Sequence, residues 1–388
     1  MKSLQKKLGQ QKQTTIDLEK GKFMRIGIDL LWVRPGKCGG TESFIRNLMH
    51  GFAQYDKEDQ YILFVAKDNT DSFQAYKQYP NMRLKVCPVQ CAGQPKRILW
   101  ENLHLDKYAA RESVEVMFIP VYSKPSSRGS KIPYVSVIHD LQALHYPQYF
   151  SMIKRIFLKR SWRYTCRTST GVVTISDYCK KDLIFHYPFV KDKICTIYDP
   201  VITEQSDSVA VNVEEKYGIL SGEYFYCVSS MLPHKNLDTV LKVMSALNKK
   251  GDKTKLVLSG VGGRQQEFEE MLEKLGIKDR VIVTGFVSNG ERDSLYDHCK
   301  LFLFPSVFEG FGMPPIEAMR RGKQVVMTRE SCLEEVTEGK AVYVEDPYSV
   351  EQWIEKIAEA GRRPEKAEAF PQYALQNIVR QYVEVLRR

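Results

Sequence analysis

No apolar run in this chain approaches the ~20 residues that a bilayer-spanning helix needs. The first 23 residues are polar and lysine-rich and lack the hydrophobic centre of a secretory signal, so a cytoplasmic protein is expected. The nine cysteines form no framework. The nearest pair, Cys87 and Cys91, has neither zinc-finger spacing nor a second pair close by, so reduced and mostly buried thiols are expected. Asp-x-Asp occurs nowhere, which removes the carboxylate pair that can hold a divalent ion on a diphosphate. Internal repeats and low-complexity tracts are absent too. Acidic residues are scarce in one half only: residues 1–200 carry 32 Lys and Arg against 18 Asp and Glu, the remainder 25 against 29. That imbalance gives the N-terminal half an anionic partner, with nucleic acid and anionic membrane as the candidates.

With 388 residues, 43% of them hydrophobic, the chain can bury two ordinary cores. Residues 1–23 read as an appendage. From Met24 short apolar runs alternate with helical patterns: Met24–Leu30, Tyr61–Val65, Val116–Ile119, Tyr134–Ile138 and Gly171–Ile175. Continuous runs of this length suit strands covered on both faces, hence a parallel sheet wrapped by helices. A polar stretch from Asp199-Pro200 to about Glu214 marks a boundary. The alternation then restarts with Tyr224–Val228, Lys255–Ser259, Val281–Val283 and Leu301–Phe304. The expected fold is α/β, with two doubly wound, Rossmann-like parallel-sheet domains (24–200 and 201–370) facing a central cleft. A last helix over 371–388 is expected to cross back to the first domain.

Leu301–Phe304 runs into Pro305-Ser306 and then Glu309-Gly310-Phe311-Gly312-Met313-Pro314-Pro315-Ile316-Glu317. Two glutamates eight positions apart are common by themselves. Here they flank a glycine turn that leads into a helix opened by proline, where a missing N–H costs nothing. The amides of Phe311, Gly312 and Met313 would then face an anion at the positive end of the helix. The bland reading, an acid placed for the helix dipole, accounts for Glu317 but not for Glu309. Gly39-Gly40, after the first strand, lets backbone approach a ligand, or is a plain strand-to-helix turn. His139 follows the strand Tyr134–Ile138, where a parallel sheet opens into its cleft, although a lone histidine is more often structural. Lys235, in Pro233-His234-Lys235-Asn236, is a point charge for a phosphate or a solvated turn lysine.

Taken together, these segments resemble the retaining nucleotide-sugar glycosyltransferases of family 4 (glycosyl transferases group 1, mannosyltransferase-like), which have the GT-B fold. The resemblance runs from about Met24 to the C-terminus and includes Gly39-Gly40-Thr41-Glu42, His139-Asp140-Leu141, Thr174-Ile175-Ser176-Asp177, Pro233-His234-Lys235-Asn236, Gly260, Gly285-Phe286-Val287, Pro305-Ser306 to Glu317, and Leu333-Glu334-Glu335-Val336. It implies that Gly39 and Gly40 lie over the donor diphosphate and that His139 contacts the transferred sugar. Lys235 would meet the diphosphate, Glu309 the sugar hydroxyls and Glu317 the ribose, with the base against Phe286 and Val287. The catalytic residues so implied are His139 and Glu309. One departure is Ser229-Ser230 where the family often has Gly-Thr or Gly-Arg; a second cation would then come from His234 or Arg264. Neither metal nor cofactor is expected beyond the nucleotide-sugar co-substrate. GDP-mannose ranks first as donor, then dTDP-rhamnose or a UDP-hexose. The acceptor implied is a saccharide, lipid-linked, in surface polysaccharide synthesis such as that of lipopolysaccharide. Retention without a carboxylate nucleophile implies front-face displacement, the departing phosphate taking the acceptor proton.

Lys154 to Arg167 contains basic and aromatic residues and no acid. As a helix it could lie on anionic lipid with Phe157, Trp162 and Tyr164 at the interface, making the protein peripheral on the inner face of the plasma membrane. It could equally be an ordinary helix with a solvated basic side. Nucleic acid is disfavoured because no recognised binding module accompanies it. Two rival functions remain, a nucleotide-sugar 2-epimerase on the same fold and a non-catalytic subunit of a glycosyltransferase complex. A Rossmann dehydrogenase is disfavoured because Gly260-Val261-Gly262-Gly263 lacks the dinucleotide fingerprint spacing.

Overall fold

The structure, a computed structural model, describes residues 23–126, 131–202, 211–262 and 265–388. Residues 1–22 of the proposed appendage 1–23, half of the polar boundary stretch and Arg264 lie outside them. Apolar runs buried on both faces build two wholly parallel sheets. The first contains β1 (Arg25–Asp29), β2 (Gln60–Ala66), β3 (Met82–Cys87), β4 (Val116–Ile119), β5 (Tyr134–Ile138), β6 (Gly171–Thr174) and β7 (Ile194–Thr196), in the spatial order β3-β2-β1-β4-β5-β6-β7. The second contains β8 (Tyr224–Val228), β9 (Lys255–Ser259), β10 (Val281–Gly285), β11 (Leu301–Phe304), β12 (Val325–Thr328) and β13 (Val342–Val344), in the order β10-β9-β8-β11-β12-β13. Each sheet reverses its winding once, beside β1 and beside β8. Parallel strands open a crevice at their carboxyl ends at such a point.

The strands that the pattern did not announce are β3, β7, β12 and β13. Outer strands see less core: β3 carries the exposed Arg83 and the half-exposed Lys85, and β7 and β13 are three residues long, whereas β12 is an inner strand of only four residues. The helix Met152–Thr168 corrects one surface assignment. Leu158, Trp162, Thr165 and Cys166 recur at helical spacing and turn inward, so Trp162 is buried in the core and does not face the interface.

The chain starts and finishes on the same sheet. Its last helix, Leu375–Leu386, lies on helix Gly40–Tyr55 so closely that a Cβ on Gly51 would stand 2.4 Å from the Val379 side chain. Arg387 then clamps the start of β2 by bonding both carboxylate oxygens of Asp59 at 2.9 Å. All nine cysteines are free thiols, seven of them buried.

Candidate active site in the interdomain cleft

The two crevices face each other across a cleft of about 580 Å³. Gly40, Thr41 and His139 line it from the first domain; Ser229, Ser230, Lys235, Arg292, Glu309 to Pro314 and Glu317 line it from the second. Gly39, Phe286 and Val287 are not among the lining residues; Phe286 is 82% exposed beside Gly262.

The loop after β11 is held on several sides. Ser306 and Val307 bond the His234 carbonyl, at 3.2 and 2.8 Å. The Cys332 thiol donates to the carbonyls of Glu309 (3.3 Å) and Phe311 (3.2 Å). The Glu309 N–H donates to Ser331 Oγ at 3.0 Å. Two glycines are required here. A Cβ on Gly310 would lie 2.4 Å from the His139 carbonyl oxygen across the cleft, and Gly312 has φ 91°, in the left-handed region. Gly312 caps helix Met313–Arg320, whose first turn carries Pro314. The Phe311 ring is buried on Tyr373, so this residue offers the cleft its backbone rather than its side chain.

Both glutamates are already engaged. Glu309 Oε1 pairs with Lys235 Nζ at 2.6 Å, and both side chains are largely buried. Glu317 Oε2 accepts the Tyr296 hydroxyl at 3.0 Å, while Arg292 approaches Oε1 at 3.7 Å. Two cationic lining residues were missed by sequence reasoning, Arg46, which is paired with Glu42 at 2.8 Å, and Arg292. Arg292 lies on helix Asn289–His298, whose Ser288/Glu291 capping box is legible in the sequence, but its place beside Glu317 in the cleft is a contact distant in the chain. His234, offered above as a second cation, has its imidazole pushed down to about 4 by burial and by Lys235, so it is neutral near pH 7.

His139 meets the edge of Phe44, and its Nε2 lies 2.9 Å from the Pro120 carbonyl. A carbonyl only accepts, so Nε2 bears the proton and Nδ1 keeps a lone pair. Burial pushes the ring down to about 4, which keeps it neutral. Asp140 accepts the Gln142 N–H at 2.8 Å in an Asx turn and also lines the cleft. Asp199 lines the cleft too, with Oδ1 lacking a hydrogen-bond partner; burial pushes its carboxyl up to about 8.

A seam closes one side of the cleft. The Ser176 hydroxyl donates to the Gly310 carbonyl at 2.8 Å. Helix Asp177–His186 begins here; Ser176 Oγ accepts the Cys179 N–H, and the Glu335 carboxylate of the other domain accepts those of Asp177 and Tyr178 at 2.7 and 2.9 Å. One helix is therefore capped by two domains.

Residues 38–205 match the family described as Glycosyltransferase Family 4, and residues 213–377 match that described as Glycosyl transferases group 1. The chain is 29% identical over 241 residues to the O-antigen chain mannosyltransferase RfbU of Salmonella typhimurium, covering 61% of this chain and 63% of that one. It is 28% identical over 224 residues to O-antigen chain mannosyltransferase B of Escherichia coli, covering 56% and 58%. The chain spans about three-fifths of the length of these curated relatives. Its fold is similar to that of Anabaena HepE in complex with UDP-glucose (TM-score 0.68, 18% identity, 94% and 99% covered). It also resembles WaaG, a glycosyltransferase involved in lipopolysaccharide biosynthesis (TM-score 0.63, 16% identity, 92% and 95% covered).

Proposed function

Because the chain belongs to the family 4, group 1 glycosyltransferases, we propose that it transfers a hexose from a nucleoside-diphosphate sugar to a saccharide acceptor. Retention of anomeric configuration, without a metal on the diphosphate, is part of the same reading. The observation that carries it is the convergence on one cleft of Lys235, Arg292, the Gly312 turn and two glutamates eight residues apart. The diphosphate sits at Lys235 and the amides opening helix Met313–Arg320, where positive charge and the helix dipole favour it. Glu317, oriented by Tyr296, accepts the ribose hydroxyls, and Glu309 accepts hydroxyls of the sugar. The neutral His139 offers the Nδ1 lone pair to a sugar hydroxyl near the reacting carbon.

In the transfer, the acceptor oxygen approaches the anomeric carbon from the face the diphosphate leaves. The bond from that carbon to the phosphate oxygen breaks as the new glycosidic bond forms, through an oxocarbenium-like state. The acceptor proton passes to the departing phosphate oxygen. The seam of Ser176, Gly310 and Glu335 supports a closed arrangement that limits donor hydrolysis.

Mannose as the sugar is supported by the two mannosyltransferase relatives, and GDP-mannose is the donor tried first. A lipid-linked acceptor at an anionic membrane is supported by helix Met152–Thr168. Met152 and Ile153 are 72% and 82% exposed on it, Ile156 and Phe157 are exposed too, and basic residues stand among them. No helix among the described residues is long and apolar enough to cross a membrane. Release of nucleoside diphosphate from a panel of GDP-, dTDP- and UDP-sugars, with and without acceptor saccharide, tests the reading. Acceptor-dependent release with one donor is expected. Epimerisation of a donor without acceptor, or inertness toward every donor, would overturn it.

A further inference from the structure

A cluster outside the cleft has chemistry of its own. We propose that His145, Asp182 and His186 form a binding site for a zinc-class divalent cation at the rim of the interdomain seam. Asp182 and His186 stand one turn apart on helix Asp177–His186, and His145 closes the short helix Gln142–His145. Their ligand atoms lie within 4.8 Å of one another. His145 Nε2 is 2.8 Å from Asp182 Oδ2, and His186 Nε2 is 3.5 Å from Asp182 Oδ1. A tetrahedral ion with bonds of about 2.1 Å separates its ligands by roughly 3.4 Å, so small side-chain rotations admit one. Two imidazoles and a carboxylate make a zinc-type set, leaving the fourth position to water; imidazole disfavours magnesium and calcium. Both histidines are exposed and the aspartate is half-buried, so the ion has an entry path.

None of the three lines the cleft, and a cation here touches no reacting atom. Its reach is structural. The His145 ring packs on Phe308 of the other domain at 5.4 Å, Tyr146 meets the same ring at 5.5 Å, and Phe308 immediately precedes Glu309. Helix Asp177–His186 is also the one that Glu335 caps from across the seam. Binding the ion would pin the two N-terminal-domain elements that the donor loop rests on. The site differs from the diphosphate position, where no metal is proposed.

The test uses metal-free full-length protein titrated with Zn²⁺ by calorimetry and with Co²⁺ by visible absorption. One saturable equivalent is expected, and bound Co²⁺ should show tetrahedral d–d bands without a thiolate charge-transfer band. His145→Ala and His186→Ala, on separate elements so that a folding defect in one does not decide the result, should each weaken binding roughly tenfold or more. His50→Ala, at an exposed histidine elsewhere, should leave it unchanged. Absence of saturable binding, a thiolate band, or affinity unaltered in both ligand variants would overturn the site and leave an ordinary carboxylate-bridged histidine pair.

Discussion

Lys235 is bound to Glu309 in the cleft, so a donor diphosphate held as proposed would have to draw that lysine away from its carboxylate. Glu309→Gln keeps the side-chain volume and removes the competing charge. At 2.6 Å and an effective dielectric of about 20, the gross attraction is roughly 6 kcal/mol, most of it offset by desolvation of two largely buried groups. A net release of about 1 kcal/mol is expected, which tightens binding of free nucleoside diphosphate roughly fivefold. Turnover should move the other way and fall tenfold or more, because the carboxylate proposed to accept sugar hydroxyls is lost. Calorimetric titration with nucleoside diphosphate and steady-state transfer assays read the two effects separately. If Glu309→Gln weakened diphosphate binding in step with turnover, the competition between donor and ion pair would be refuted.

Further predictions rest on single residues. Glu335→Ala deletes a carboxylate holding two helix N–H groups across the seam, and a loss of about 2 kcal/mol should shift the closed-to-open ratio about thirtyfold; small-angle scattering should show a larger radius of gyration, and an unchanged profile would remove the latch. His139→Ala should cut turnover roughly tenfold or more with less than about a threefold effect on nucleotide affinity. Since burial holds His139 near 4, the wild-type rate profile should show no histidine limb around pH 6.5. For Asp199, a folded-state value pushed up to about 8 means that the native state binds more protons than the unfolded one between about pH 4 and 8. Its contribution is therefore most favourable below pH 4 and is lost as pH rises through 8, so Asp199→Asn should stabilise the protein more at pH 9 than at pH 5 in urea unfolding. Equal effects at both values would sink that assignment.

His139, Lys235 and Glu309 were legible because each lies within seven residues of the carboxyl end of a buried strand, where parallel sheets put their crevices, and Glu317 because it stands in the helix that the same loop opens. The apolar runs of β4, β5, β8, β9 and β11 gave their strand limits to the residue for the same reason: both faces are covered. What was not legible depends on contacts distant in the chain. Asp177 meets Glu335 across 158 positions, and Arg292 lines the cleft beside Glu317, which it approaches at 3.7 Å from a different helix. Trp162 is different: Leu158, Trp162 and Cys166 already stood at i, i+4, i+8, so the inward face was readable and the count of basic residues obscured it.

One cleft is proposed to grip a nucleoside-diphosphate sugar from both ends, with Glu317 at the ribose. Titration of free nucleoside diphosphate into Glu317→Gln measures this most directly, because the isostere keeps a partner for Tyr296 and removes only the charge. Loss of charge-assisted bonds to the ribose, about 1.5–3 kcal/mol, predicts binding weakened roughly 10- to 150-fold. Affinity equal to that of the unmodified protein would contradict it.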